Sequence, residues 1–351
     1  MGEGASYALE GDWPDDMEIS QWRDCQAQLL RLASPRSELG GTMTTRRDIL
    51  AGALAAAALP ALARADEGGQ YVPVPFFITP GDKIGINVHI NGSGPYLFAV
   101  DSGADVSCIQ SDLAQKLGLK FTRGTVSGGL GGEEIEGVYL AKAVRFGPYL
   151  PQRDVAFDGL SHFKSRLSGL VAAGFLTTLP SVLDFGAREI RIYTKGTPDL
   201  SGFIPVDSRL DASSPAVSAR IFVHVTIDGV PLKLLVDTGS PPYVLLFPSV
   251  VRAHGLWDKY GAGTPGKGEG TTGVVSSTRL VTMPDFALSD VTLPHVPVSL
   301  MDPAGHNEND GSDGLLGLRF LEMFTVAITS KGMALRPIAP PATAASSSAA
   351  S

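Results

Sequence analysis

Residues 99 to 109 read "AVDSGADVSCI": an apolar run carries straight into an aspartate, Asp101, and the chain then turns on Gly103. A carboxylate at the end of a core strand is costly unless hydrogen bonds or a partner group stabilise it. A second copy of the arrangement follows 136 positions later, where "LLVDTGS" occupies residues 234 to 240 and sets Asp237 in the same context.

Working outward from the two aspartates, the similarity lengthens into a repeat. The first copy reads "IGINVHINGSGPYLFAVDSGA" (84 to 104) and the second "RIFVHVTIDGVPLKLLVDTGS" (220 to 240). In each, apolar residues alternate (Ile84, Ile86, Val88, Ile90; Ile221, Val223, Val225, Ile227), and a turn follows at Asn91-Gly92 or Asp228-Gly229. A second apolar strand then runs into the aspartate, which is the pattern of a hairpin. Beyond it, "SDLAQKLGL" (111 to 119) and "PSVVRAHGL" (248 to 256) each read as a short helix closed by glycine. Each half ends on a Gly-Leu element, "SGLVAAGFLTTLPSVLDF" from Ser168 and "DGLLGLRFLEMFTVAITS" from Asp313.

Short strands with Gly and Pro turns, in two matching halves, predict an all-β, bilobal fold with pseudo-twofold symmetry, each lobe a small closed β-barrel with a short helix. The expected units are a lobe over 66–195, a Pro- and Ser-rich linker over 196–218, a second lobe over 219–337 and a disordered tail over 338–351. Upstream, residues 43–65 have the form of a twin-arginine signal peptide, with Arg46-Arg47, an Ala-rich apolar stretch and the small-x-small site Ala63-Arg64-Ala65. The mature chain is therefore expected to begin at Asp66 and to work in the periplasm or outside the cell, with no stable membrane span after signal removal. Residues 1–42 read as a leader or non-native extension, with translation expected to begin at Met43. Cleavage removes Cys25, so no intrachain disulfide is possible in the mature chain; Cys108 reads as a small buried hydrophobe.

At 44% hydrophobic residues the chain can bury a core, and a formal charge of -8 without a basic cluster argues against a nucleic-acid partner. Other motif matches fall short. "GAGTPGKG" (261 to 268) lacks the strand, helix start and Ser or Thr of a phosphate loop. "SHFK" (161 to 164) lacks the companion motifs of acyl-serine enzymes. "HNENDGSDG" (306 to 314) lacks the terminal glutamate of a calcium loop, and no histidines pair at metal-ligand spacing, so neither metal nor cofactor is expected.

The duplicated aspartates permit a specific chemistry. Two carboxylates meeting across a twofold cannot both ionise; they share one proton and titrate as a coupled pair. One acts as general base on a trapped water while the protonated one donates to an amide carbonyl oxygen, giving peptide hydrolysis without metal or covalent intermediate. Gly103 and Gly239 allow the turns and free backbone N–H groups for the carboxylates. Ser102 and Thr238 can bond to the opposite loop, and Val100 and Val236 keep the floor dry.

On these residues the chain resembles the aspartic peptidases, specifically bacterial retropepsin-like proteins fused as two lobes, across roughly 71 to 337. The resemblance rests on "VDSGAD", "VDTGS", the endings "KLGL" and "AHGL", and "GLLGLRFL". It implies catalytic Asp101 and Asp237 and a peptide or protein substrate held between lobes; the chain is expected to be a monomer. It also implies a flap at Thr125 to Val138 carrying Gly128, Gly129, Leu130, Gly131 and Gly132, with Lys267 to Val275 as counterpart. The chain departs from the family pattern in several places. Ser102 stands where threonine is commoner, Ala172 where the second lobe has Gly317, Pro241-Pro242 follows "DTGS", and neither Gly-rich stretch has a flap tyrosine. Ala172 is expected to crowd the turn under Asp101. Because Ser240 can donate to Asp237 where Ala104 has nothing to offer Asp101, Asp237 is expected to be the ionised member and Asp101 to hold the proton. The rival reading is a catalytically silent peptide-binding or scaffold protein on the same fold, marked by a displaced aspartate.

Overall fold

The computed structural model describes residues 7–9, 64–66, 68–129, 132–161, 166–212, 217–270, 275–305 and 311–338. Most of the signal and leader assignments, the tail after Ile338 and the flap residues Leu130 and Gly131 lie outside them. Residues 162–165 of "SHFK" and its flank, and 306–310 of the calcium-like loop, do so too.

Both hairpins form where the alternation places them. Ile84, Ile86, Val88 and Ile90 point inward along the strand Ile84–Ile90, as do Ile221, Val223, Val225 and Ile227 along Arg220–Ile227. Their turns need two residues with positive φ, met by Asn91 and Gly92 (49° and 83°) and by Asp228 and Gly229 (51° and 75°). The return strands are Ser93–Val100 and Val230–Asp237. The first hairpin holds one extra residue, absorbed by a register shift between Val88 and Ile90.

Each hairpin closes into a six-stranded barrel. In the first lobe Ile84–Ile90, Ser93–Val100, Gly169–Val171, Cys108–Gln110, Leu150–Leu160 and Gly132–Phe146 follow one another, and Gly132–Phe146 pairs back onto Ile84–Ile90. In the second, Arg220–Ile227, Val230–Asp237, Gly314–Gly317, Val244–Leu246, Val291–Met301 and Val275–Leu288 do the same, closed by Val275–Leu288 on Arg220–Ile227. The fold is thus all-β and bilobal, with a few short helices such as Ser111–Lys116 and Pro248–Ala253 at the two places the glycine-closed segments mark.

A third sheet, unforeseen in the sequence, joins the lobes. Its seven strands run in the order Ile204–Pro205, Gly332–Pro337, Phe324–Thr329, Ser181–Asp184, Glu189–Gly196, Gly69–Pro75 and Arg64–Ala65. At its centre Ser181–Asp184 of one lobe pairs antiparallel with Phe324–Thr329 of the other, and Val182 faces Ala327. Those two residues are 145 positions apart, the same spacing as Gly169 and Gly314 in the matching Gly-Leu elements, so the pseudo-twofold axis passes between them. Buried side chains continue without a break from the first barrel through this sheet into the second. The segment read as a linker is itself pinned: Ile204–Pro205 pairs with Gly332–Pro337, and Ser208–Asp211 with Arg220–Ile227. Near the chain start, Tyr7–Leu9 pairs with Gly268–Gly270.

Candidate active site

Parallel pairing delivers both aspartates. Gly169–Val171 lies against Ser93–Val100 with Val171 opposite Val100, and Gly314–Gly317 lies against Val230–Asp237 with Leu316 opposite Val236. Gly169 and Gly314 are required there, because a Cβ on either would sit 2.2 Å or 2.1 Å from the carbonyl oxygen of Cys108 or Leu245. Each aspartate therefore emerges where its strand leaves the sheet, and both are buried, at 1% and 0% exposure.

The two loops interlock. The Ser102 amide donates to Thr238 Oγ1 at 3.0 Å and the Thr238 amide to Ser102 Oγ at 3.0 Å. Each hydroxyl in turn donates to the opposite strand's last carbonyl, Ser102 Oγ to Val236 O and Thr238 Oγ1 to Val100 O, both at 2.7 Å. Ser102 thus makes the same two bonds as threonine does in the second lobe. The seam is close enough that a Cβ on Gly103 would lie 2.6 Å from Asp237 Cγ, so the Asp237 carboxyl rests against the opposite loop's glycine.

The two carboxyls are not equivalent, and the asymmetry reverses the sequence-based expectation. Asp101 Oδ1 accepts two backbone N–H bonds, from Gly103 at 3.0 Å and Ala104 at 3.1 Å. Asp237 Oδ1 accepts one, from Gly239 at 2.7 Å. Ser240 Oγ, buried, meets no hydrogen-bond partner among the described residues, and none of their donors reaches Asp237 Oδ2. Burial drives the Asp237 pKa well above the ordinary carboxylate value, and the Asp101 charge and a side-chain hydrogen bond with Asp101 push it further; Lys83 and the Gly239 N–H act the other way. Hydrogen bonds to the charged form favour ionisation, and Asp237, with the fewer of them and its pKa raised, is the member that holds the proton. The error lay in weighing one hydroxyl in the sequence while backbone amides, invisible there, decide the balance.

Ala172 does not crowd the turn. In the second lobe the Gly317 amide donates to the Tyr243 carbonyl at 2.9 Å, and a Cβ there would be 2.1 Å from Pro242 O. In the first, the Ala172 amide donates instead to the hydroxyl of Ser107, the residue equivalent to Tyr243, at 3.0 Å. A side-chain acceptor stands in for the main chain, and Ala172 is buried in an apolar cluster with Ala104, Cys108 and Leu170. Pro241 is part of the packed loop, its carbonyl accepting from the Arg319 amide at 3.2 Å.

Sequence reasoning passed over two cations. Lys83 Nζ donates across the seam to the Gly239 carbonyl at 2.7 Å and lies within the electrostatic reach of both aspartates. Arg220, buried, acts on Asp105: burial raises the Asp105 pKa and the guanidinium opposes it. Both precede the first apolar residue of equivalent strands, a signal that lining up the two halves from Ile84 and Ile221 exposes.

The segments expected to form flaps are hairpins. Lys120–Gly129 pairs with Gly132–Phe146, bringing Gly128 opposite Glu133 and Gly129 opposite Gly132, while Thr264–Gly270 pairs with Val275–Leu288. The Gly-rich run 261 to 268 enters that second hairpin strand, which ends its resemblance to a phosphate loop. Among the described residues, no group of His, Cys, Asp and Glu could hold a metal ion, and no helix is long and apolar enough to cross a membrane.

Comparison with known proteins agrees with the duplicated geometry. The family model described as aspartyl protease matches the chain twice, over residues 86–158 and 223–320. No curated protein matches. Among solved structures, the aspartic proteinase from Irpex lacteus is similar at 15% identity, with 77% of this chain and 98% of that one covered and a TM-score of 0.45. A retropepsin-like aspartic protease from Rickettsia conorii is similar at 22% identity, with 30% of this chain and 77% of that one covered and a TM-score of 0.24.

Proposed function

We propose that this chain, built from two retropepsin-like aspartyl protease units in tandem, works as a single aspartic endopeptidase whose catalytic residues are Asp101 and Asp237. The observation that carries the reading is the reciprocal Ser102–Thr238 interlock, which fixes both acid loops in one buried seam with the Asp237 carboxyl against Gly103. The silent alternative calls for a displaced or unpaired aspartate, whereas both carboxyls are buried at the seam and act on each other electrostatically.

Ionised Asp101 takes a proton from a water held between the carboxyls. The water oxygen attacks the peptide carbonyl carbon while Asp237 donates its proton to the carbonyl oxygen, giving a neutral tetrahedral diol. Asp101 then gives its proton to the leaving nitrogen while Asp237 takes one back from a diol hydroxyl as the carbonyl re-forms, which breaks the C–N bond and restores the singly ionised pair. General acid–base assistance of this kind contributes roughly 100- to 10,000-fold. Burial strengthens it, since the field between the carboxyls is not screened by bulk solvent. The hairpins at Thr125 to Val138 and Lys267 to Val275 are the candidate covers for the bound peptide.

Digestion of a peptide library by the chain beginning at Asp66, alongside Asp101→Asn and Asp237→Asn, tests the assignment. Cleavage by the parent chain and its loss in both variants is the expected result; equal cleavage by all three rejects it. We further read residues 43–65 as a twin-arginine export signal that sends a monomer to the periplasm, on the sequence alone. Fractionation of cells carrying Arg46→Lys with Arg47→Lys checks this: the protein should remain in the cytoplasm. Sedimentation of the exported chain checks the monomer.

A further inference from the structure

The pseudo-twofold is broken at one pair of cations. Lys83 and Arg220 occupy equivalent positions, each just before the first buried apolar residue of its barrel, Ile84 or Ile221. Each segment docks on the opposite lobe. From the second lobe, the Ser218 amide donates to Asp105 O at 2.8 Å, Ala219 O accepts from Thr177 Oγ1 at 2.9 Å, and Arg220 acts on the Asp105 carboxyl. From the first, Asp82 pairs with Arg319 at 3.3 Å and Lys83 reaches the Gly239 carbonyl at 2.7 Å. The residue of the second acid loop equivalent to Asp105 is Pro241, so no carboxylate stands where the symmetric contact would be. The ammonium goes instead to the main chain of the loop that holds Asp237.

We infer that Lys83 is a positioning residue for the acid pair: it clamps the Gly239 carbonyl and supplies the positive charge that keeps the pair singly ionised into more acidic solution. This rests on the peptidase reading of Asp101 and Asp237. Gly239 links the two effects, since its carbonyl takes the ammonium while its amide donates to Asp237 Oδ1. An opposite charge that acts on an acid favours its ionised form, by about one to three pH units when it lies within about 4–6 Å. Both ionisations of the pair are affected, so the whole active window moves toward acid.

The surrounding charges do not duplicate this role. Asp101 and Lys83 are the charges that act on Asp237, and Asp101 and Asp237 those that act on Lys83. Behind Lys83, Asp82 is engaged by Arg319, and both act on Glu322 together with Arg188. On the other side Asp105 faces Arg220, and Asp158 faces Asp105 and Arg123. Burial lowers the Lys83 pKa and the two aspartates oppose that, which couples its charge to theirs.

The test compares the parent chain with Lys83→Met, Lys83→Gln and Lys83→Arg. Two readouts are taken: the pH dependence of peptide cleavage, and the titration of the paired acids by NMR of carboxyl-labelled aspartate, assigned with Asp101→Asn and Asp237→Asn. Both neutral variants should move both titration steps, and both limbs of the rate profile, toward alkaline pH by about one unit, while Lys83→Arg stays with the parent. Gln can still donate to the Gly239 carbonyl, so it answers the question should Met fail to fold. Titration steps that coincide in the parent and a folded neutral variant overturn the inference and leave the peptidase reading standing. Steps that move in a chain that cleaves no peptide uphold the role of Lys83 and sink the peptidase reading alone.

Discussion

Ser102 and Thr238 exchange amide-to-hydroxyl hydrogen bonds at 3.0 Å in both directions, and each hydroxyl donates in turn to the carbonyl of the opposite Val236 or Val100. The four bonds leave neither hydroxyl nor any of the paired backbone groups unsatisfied in a buried seam. Stability and geometry of the acid pair are therefore coupled through two side chains that take no part in chemistry themselves.

Removing one of those hydroxyls strands a buried N–H and a buried C=O at once. Each orphaned group costs about 1–3 kcal/mol, so Ser102→Ala and Thr238→Val should each lower unfolding free energy by about 2–5 kcal/mol. Chemical denaturation at constant m-value measures this; a change below about 0.5 kcal/mol, the range of an ordinary surface substitution, would contradict the interlock.

Gly103→Ala should damage activity far more than its size suggests. The new Cβ would meet Asp237 Cγ at 2.6 Å, and the carboxyl must move to admit it. Displacements near 1 Å cost on the order of 100-fold in rate. A kcat within threefold of the parent would show that the Asp237 carboxyl does not rest where the structure has it.

The pH dependence of stability has a definite sign. Asp237 is raised from 3.8 by burial and by Asp101, and Asp105, Asp158 and Glu322 are raised chiefly by burial. An acid whose folded pKa exceeds its unfolded one binds more protons when folded, so its contribution is present below the unfolded pKa and is lost as pH rises to the folded value. Stability from these groups should accordingly fall from about pH 4 upward, opposed in part by Asp228, which Lys259 and Tyr260 hold below the ordinary value. Asp237→Asn, a neutral mimic of the protonated acid, should flatten the fall. Its Tm should exceed the parent's at neutral pH, and equal slopes of Tm against pH would refute the assignment of the proton.

Equivalent positions of the two lobes should respond oppositely to the same methyl group. Gly317→Ala drives a Cβ to 2.1 Å from the Pro242 carbonyl and should cost several kcal/mol or prevent folding. Ala172→Gly, where the Ser107 hydroxyl already carries the amide, should cost about 1 kcal/mol. Ser107→Ala leaves that amide without its acceptor and should cost about 1–3 kcal/mol. Thermal unfolding of the three chains separates these outcomes, and a tolerated Gly317→Ala would remove the explanation given for the departure at Ala172.

Ser240→Ala should leave the titration of the acid pair in place. The hydroxyl is buried without a hydrogen-bond partner among the described residues, and removing an unsatisfied group is neutral or stabilising. An alkaline shift of the Asp237 step would restore the donor role first expected of it.

The hairpins, both barrels and the pair of buried acids were legible because they are written in local pattern: alternation of apolar residues, turn residues suited to positive φ, and the same phrase stated twice. What was misjudged depends on groups the one-letter code does not show. The proton of the acid pair follows from two backbone amides on Asp101 against one on Asp237. The accommodation of Ala172 depends on a hydroxyl 65 residues away.

By itself, then, the sequence determined an all-β chain of two like halves with an aspartate at the tip of each, since hydrophobic period and turn chemistry act over a few residues and survive in any environment. Only the tertiary structure decided that a third sheet would tie the halves along Val182 and Ala327, that Lys83 would cross the seam to Gly239, and which acid would keep the hydrogen ion. Those outcomes turn on distances between groups far apart in the chain, and on how much water is excluded where they meet.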